Sequence, residues 1–307
     1  MIDHAITLFA LTLAAGTVLV FAALGELVTE KAGVLNLGVE GMMLVGAVGA
    51  FVVADDTGHN WVGVLAGTLA GGALSLIFAV LTLSLMANQV ASGLALSLFG
   101  IGLSAFVGLS HVGHVVDPIA PLAVPVLSGL PVVGRLLFGH SPFVYLSLVL
   151  FALVQWFLFG TRAGLILRAI GESPQSAHAI GHKVIAVRYA AVAFGGACAG
   201  LSGAYMALAY APMWTEGMTA GRGWIALALV VFANWKPSRV LAGAYLFGAV
   251  TLVQFQAQAM GVAVPSQFLA MLPYVATIVV LVVICRNPRT ILLNQPASLG
   301  KSFHPDT

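Results

Sequence analysis

Charge is what this 307-residue chain most lacks: 7% of its residues are Asp, Glu, Lys or Arg, against 60% hydrophobic ones. Soluble domains carry about 25% charged residues, so this composition cannot dress a water-exposed surface, and an integral membrane protein follows. The net charge of +2 leaves no basic patch for a polyanion, which excludes nucleic acid as a partner. Cysteine is scarce as well: Cys198 lies inside one apolar run and Cys285 ends another, places that suit small packing residues and not a disulfide. No basic stretch precedes the first apolar run, in MIDHAITLFALTLAAG, and no obvious small-residue cleavage site follows, so it is expected to remain as a span.

Catalytic groups are also missing from the apolar runs. All 8 histidines fall outside them, and so does every aspartate. A nucleophilic serine needs a base within hydrogen-bond reach. Gly200-Leu201-Ser202-Gly203 therefore reads as part of a small-residue stretch, AFGGACAGLSGAYMAL over 193–208, that allows close helix packing. Gly300-Lys301-Ser302 resembles the end of a phosphate-binding loop, but Gln295 stands where the earlier glycine is required. No cofactor is implied. His111, His114 and Asp117 have a spacing of three, yet Gly113 and Pro118 disfavour the helix that would align them on a metal. His178 and His182 have no third ligand nearby, so no metal is expected there either.

What is present is a series of apolar runs near 5–24, 37–54, 61–86, 89–109, 142–160, 187–210, 240–259 and 268–285, with a shorter one at 223–233. At about 20 residues per hydrocarbon thickness, these predict an all-α, polytopic membrane domain over 1–307 with about nine transmembrane helices. An outside N-terminus puts Lys31, Arg162, Arg168, Lys183, Lys236, Arg239, Arg286, Arg289 and Lys301 in the cytoplasm and Asp55, Asp56, Asp117, Arg135 and Glu216 outside, as the positive-inside rule requires.

Three interruptions stand out. GELVTEKAGVLNLGVEG, 25–41, holds three acids, a lysine and an asparagine between two spans. Asn36 is placed to cap the next helix and Glu40 to lie in its first turn, where it would complement the helix dipole; Glu30 and Lys31 are expected in interfacial water. APMWTEGMTAGRG, 211–223, precedes a run too short to cross unaided, which predicts a broken or re-entrant helix, since irregular backbone at membrane depth survives only within protein or beside water.

The third interruption, 161–188, is the longest and carries four basic residues. Ser173 and Pro174 open a short helix and Gly181 closes it. Barely two turns are not stable alone, so this helix leans on its neighbours or docks on a partner; an ordinary cytoplasmic connector is the alternative.

The blocks GELVTEKAGVLNLGVEGMMLVGA, RAIGESPQSAHAIG and GWIALALVVFANWKPSRVLAGAYLFG resemble the permease subunits of bacterial ATP-binding-cassette (ABC) importers of the branched-chain amino acid and ribose type. They are most similar to the nucleoside branch, which works with a Bmp-type lipoprotein. The resemblance implies a multi-pass permease of the bacterial inner membrane that catalyses no bond change itself. It also implies two ABC ATPase subunits, a second homologous permease subunit, an extracytoplasmic solute-binding lipoprotein and a small-molecule solute.

The family's coupling loop falls on Gly171, Glu172, Ser173, Pro174, Ala177 and Gly181, with Ile180 on the same short helix. Candidates for the translocation path are Asn36, Glu40, Asn88, Gln89, Trp214, Glu216 and Arg222, because polar or aromatic groups near helix breaks can hydrogen-bond or stack a base or sugar. Asn88 and Gln89 also fit a plain cytoplasmic turn, and Trp214 an interfacial anchor. TEGMTAGRGW, over 215–224, is a less distinctive block than the first. Simple sugars and branched-chain amino acids are alternative solutes, and a stand-alone secondary transporter is an alternative of another class.

Overall fold

The computed structural model describes residues 2–122, 138–260, 264–285 and 294–304. Among them the chain is helical throughout, with one isolated antiparallel bridge between Val115 and Met213. In order the helices are α1 Ile2–Lys31, α2 Val39–Thr57, α3 Asn60–Ala79, α4 Gln89–Gly108, α5 Pro142–Gly160, α6 Arg162–Glu172 and α7 Pro174–Ala179. They continue with α8 Val184–Tyr205, α9 Arg222–Phe232, α10 Pro237–Ala259, α11 Ser266–Ala270 and α12 Leu272–Cys285. One turn of π-helix, Val80–Ser84, extends α3, and another, Met206–Tyr210, extends α8.

The surface is dressed for lipid. Leu98 and Phe106 on α4 are 71% and 78% exposed, which a bilayer accommodates and water would penalise. Lipid tails are as apolar as leucine, so exclusion from water cannot drive these helices together; close van der Waals contact must. The small residues of 193–208 supply it. Along α8 they pack against α1, α2 and α3, and a Cβ added at Gly203 would lie 2.0 Å from the Met43 carbonyl oxygen. The hydroxyl of Ser202 donates to the Val18 carbonyl at 2.6 Å, so it serves as a tie between α8 and α1.

Six described helical stretches, in α1, α3, α4, α5, α8 and α10, are long and apolar enough to cross a membrane. The expected count of about nine is not confirmed among the described residues. Helix α2 carries Glu40 in its first turn and Asp55 and Asp56 in its last; α9 has 11 residues and α12 has 14. Helix α1 also differs from expectation, running unbroken to Lys31 where a loop was read from Gly25 onward. Its last turn is buried: Glu30 is 0% and Lys31 8% exposed, so neither sits in interfacial water. Glu30 accepts the indole N–H of Trp235 instead.

The two ends of the bundle differ in charge. Lys31, Arg168 and Lys236 line one cavity at one end. At the other, Asp55 meets the imidazole of His114 at 2.7 Å and Asp56 that of His111 at 3.5 Å. Arg135, Arg286 and Arg289 lie outside the described residues.

Candidate functional site

The two interruptions read from 25–41 and 211–223 meet at one joint. Between α1 and α2 the chain turns through Ala32–Gly38, almost wholly buried. Asn36 organises that turn: its Oδ1 accepts from Gly38 N at 2.9 Å, and its own N–H donates to Glu26 Oε1 at 3.2 Å. It therefore acts two residues before the helix, with Gly38 as the N-cap. Gln89, the first residue of α4, accepts from Leu35 N at 2.8 Å, and Ser97 donates to the Leu37 carbonyl at 2.8 Å.

Glu40 then reaches across to the start of α9. Its Oε1 accepts from Thr219 Oγ1 at 2.6 Å and from Gly221 N at 2.9 Å, and its Oε2 accepts from Gly223 N at 2.6 Å. These lengths belong to charge-assisted bonds. Gly221 is the N-cap of α9 and has no side-chain cap of its own, so a carboxylate from a distant helix caps it. The positive ends of α2 and α9 both face this one group, a placement that contributes up to ~2 kcal/mol for each helix end when buried. A Cβ at Gly223 would lie 2.6 Å from Glu40 Cα, so the contact requires glycine there.

Arg222 fastens the same segment from the other side. Its Nη1 donates to the Met218 and Thr219 carbonyls at 3.3 and 3.4 Å, and its guanidinium lies 5.8 Å from the centre of the Tyr210 ring. It also lines a cavity of about 240 Å³ together with Phe247, Thr251, Gln254 and Phe255. Trp214 is fully buried, its indole against Gly108 on α4, and is no interfacial anchor. Glu216 is exposed, away from the joint. Asn88 is exposed too, and its side chain caps α4 by accepting from Ala91 N at 2.9 Å. Asn36, Glu40, Gln89 and Arg222 are thus brought into one joint, and Asn88 and Glu216 are not.

At the basic end, Ser173 accepts from Ser176 N at 3.3 Å, Pro174 opens α7, and Gly181 takes φ +93° after it. Ala177 faces inward, packed with Ile170, Val184 and Phe303, whereas Ile180 is 74% exposed. Gly171 is buried and its carbonyl accepts from Ser298 Oγ at 2.7 Å, while Glu172 is exposed. The returning segment 294–304 was not anticipated from sequence. Arg188, 1% exposed, ties it in by donating to Ala32 O at 3.0 Å, Ser298 Oγ at 3.0 Å and Lys301 O at 3.3 Å.

Sequence reasoning also missed Glu26 and Thr219. The spacing of Glu26 and Glu30, four residues apart on one face of α1, was the available signal for a buried polar seam. As for metals, Asp117 is separate from the two histidines, its carbonyl accepting from Asn60 Nδ2 at 2.7 Å. No group of three or more His, Cys, Asp or Glu among the described residues is placed to hold one.

The family model of the branched-chain amino acid transport system permease component matches residues 8–285. The chain belongs to that permease family. NupC of Lactococcus lactis, a nucleoside ABC transporter permease, is 34% identical to this permease over 86% of this chain and 88% of the relative. NupQ of Bacillus subtilis, a guanosine ABC transporter permease, is 31% identical over 88% and 89%. A Haloferax volcanii protein that carries the name of a glucose ABC transporter permease, TsgC13, is 42% identical over 95% and 96%. No solved structure matches the permease. A transport role in the membrane, as the permease component of an ABC system, is established by these relationships.

Proposed function

We propose that this permease is the translocating subunit of an ATP-driven importer for nucleosides or related sugar-containing solutes in the cytoplasmic membrane of a bacterium. The observation that carries the ATP-driven reading is Ile180, a large apolar side chain 74% exposed on a short capped helix at the basic end. A partner's groove is the natural cover for such a helix. Cassette ATPases occupy that position, and a second related permease completes the conduit. An external lipoprotein delivers solute to the acidic end. Helix α2, the re-entrant 211–221 segment with α9, and α12 bring the six long spans towards nine passages, with the N-terminus outside.

The solute class rests on the relatives and on the cavity beside Arg222. Two relatives are named for nucleosides and one for glucose, and what these solutes share is a polyhydroxylated ring. Thr251 and Gln254 offer hydrogen bonds to hydroxyls, and Phe247 and Phe255 offer apolar faces to a base or ring. ATP-driven closure of the partners would pull on α7 and, through α8 and α1, bias the Glu40 joint between two arrangements. The test is uptake by proteoliposomes holding the permease with its cassette ATPase, second permease and lipoprotein. Labelled uridine or guanosine should accumulate only with ATP, and excess glucose should compete weakly. Gradient-driven uptake by the chain alone would overturn the reading, and uptake of leucine with no nucleoside uptake would overturn the solute.

A further inference from the structure

A cavity of about 510 Å³ opens at the basic end, between α1, α5, α6, the start of α10 and the returning segment 294–304. Three cations line it, Lys31, Arg168 and Lys236, with Glu172 as the single acidic residue in its wall. No ion pair is made among these four. Three histidine–aspartate contacts at the opposite end are ion pairs between described residues. The cations therefore outnumber the acid in this wall, and none of them is ion-paired to it.

Three independent features of the cavity call for an anion. Lys31 is 8% exposed, and its ammonium donates to a neutral partner, the Asn294 carbonyl at 2.7 Å. An ammonium held at that burial with Glu30 and Glu172 nearby but neither in ion-pair contact is costly, and a bound counter-charge relieves the cost. Arg168 has its guanidinium 5.0 Å from the centre of the Phe159 ring, yet its Nε is buried with no hydrogen-bond partner. Finally, α10 begins at the cavity wall with Pro237 and Ser238, and its N-cap, Lys236, gives no side-chain cap. The start of this 23-residue helix adds partial positive charge and the Ser238 N–H to the same space, since Pro237 has no N–H and Arg239 and Val240 donate to the Lys236 carbonyl.

The mouth says where the anion comes from. Phe159 and Leu165 in its wall are 48% and 59% exposed, and Phe159 stands on α5, a helix long and apolar enough to cross a membrane. Trp156, one turn earlier on α5, is 63% exposed, as an aromatic anchor at headgroup level would be. We propose that this cavity binds a phosphate group, and that the phosphate is the headgroup of an acidic phospholipid in the leaflet at the basic end.

The experiment uses the full chain in detergent, offered phosphatidylglycerol and phosphatidylcholine of identical acyl chains, with bound lipid counted by native mass spectrometry. Phosphatidylglycerol should be retained over phosphatidylcholine. Arg168→Gln and Lys236→Gln should each weaken its binding by about fivefold, the effect of one basic residue at a charged headgroup. Arg162→Gln, an exposed basic residue outside the cavity, should leave binding unchanged. Lys236 is itself exposed, so its variant reports on binding without a folding defect. Equal retention of the two lipids, or equal weakening by Arg162→Gln, would overturn the proposal. Displacement of the lipid by inorganic phosphate from the parent chain, with the variants insensitive, would keep the phosphate site and overturn the lipid as its source.

Discussion

Glu40 and Thr219 are 179 positions apart in the chain, yet the hydroxyl of one meets the carboxylate of the other at 2.6 Å in the buried interior. That bond, with the two backbone bonds beside it, joins the two places where the membrane helices are broken. Where the irregular backbone of 211–221 passes into α9, a fixed anion satisfies the Gly221 and Gly223 N–H groups and the Thr219 hydroxyl.

Glu40→Gln should loosen this joint. One carboxylate oxygen becomes an amide N–H₂ facing a donor, which leaves a buried N–H unsatisfied at about 1–3 kcal/mol. We expect a lower unfolding temperature and new protease cleavage within 211–221. Uptake should fall more steeply than the amount of inserted protein, measured by transport assay against membrane-fraction immunoblot. A variant with parental cleavage and uptake would show that the carboxylate holds nothing.

Two substitutions on one short helix should part company. Ile180→Asp places a charge on an exposed position, so folding and insertion should persist while co-purification of the ATPase is lost. Ala177→Asp buries a charge among Ile170, Val184 and Phe303, at a cost on the order of 4 kcal/mol, and should destabilise the chain before any partner is considered. Thermal unfolding of each purified variant separates the cases. ATPase retention by Ile180→Asp would remove the docking role.

Close packing along α8 predicts sharp intolerance at Gly203. Even Ala must displace the Met43 carbonyl, and backbone shifts of this kind cost about 3 kcal/mol or more. Gly203→Ala should yield little monodisperse protein by size-exclusion chromatography. Gly102, whose added Cβ meets nothing within 4 Å, should accept alanine without loss.

The returning segment makes a fourth prediction. Phe303→Ala removes the ring that covers Ala177 and faces His178, at about 3 kcal/mol for a buried aromatic. Hydrogen exchange should speed up across 173–182 and stay slow in the α8 interior. Uniform acceleration everywhere would mean that the segment supports the whole fold and not the short helix.

Local chemistry was legible in the sequence and distant partnership was not. Ser173, Pro174 and Gly181 mark their helix because capping and left-handed backbone are decided within a few residues. The same stretch could not reveal that Ala177 points in and Ile180 out, since 6 residues are too few for a periodic face to declare itself. Charge misled at Glu30 and Lys31: glutamate and lysine beside each other read as solvated, whereas their partners, Trp235 and Asn294, lie more than 200 positions away. The break before α9 was visible as a short apolar run, but nothing local to 211–223 names Glu40 as the group that holds it.

Arg188 draws three carbonyl or hydroxyl contacts from two regions, the turn after α1 and the segment 294–304. Without that segment the guanidinium would lack two of its three acceptors, and Ala177 would lose the Phe303 ring packed against it. One buried arginine therefore straps two sequence-distant stretches together beneath the short helix, so a disturbance of either strap end is felt at the other.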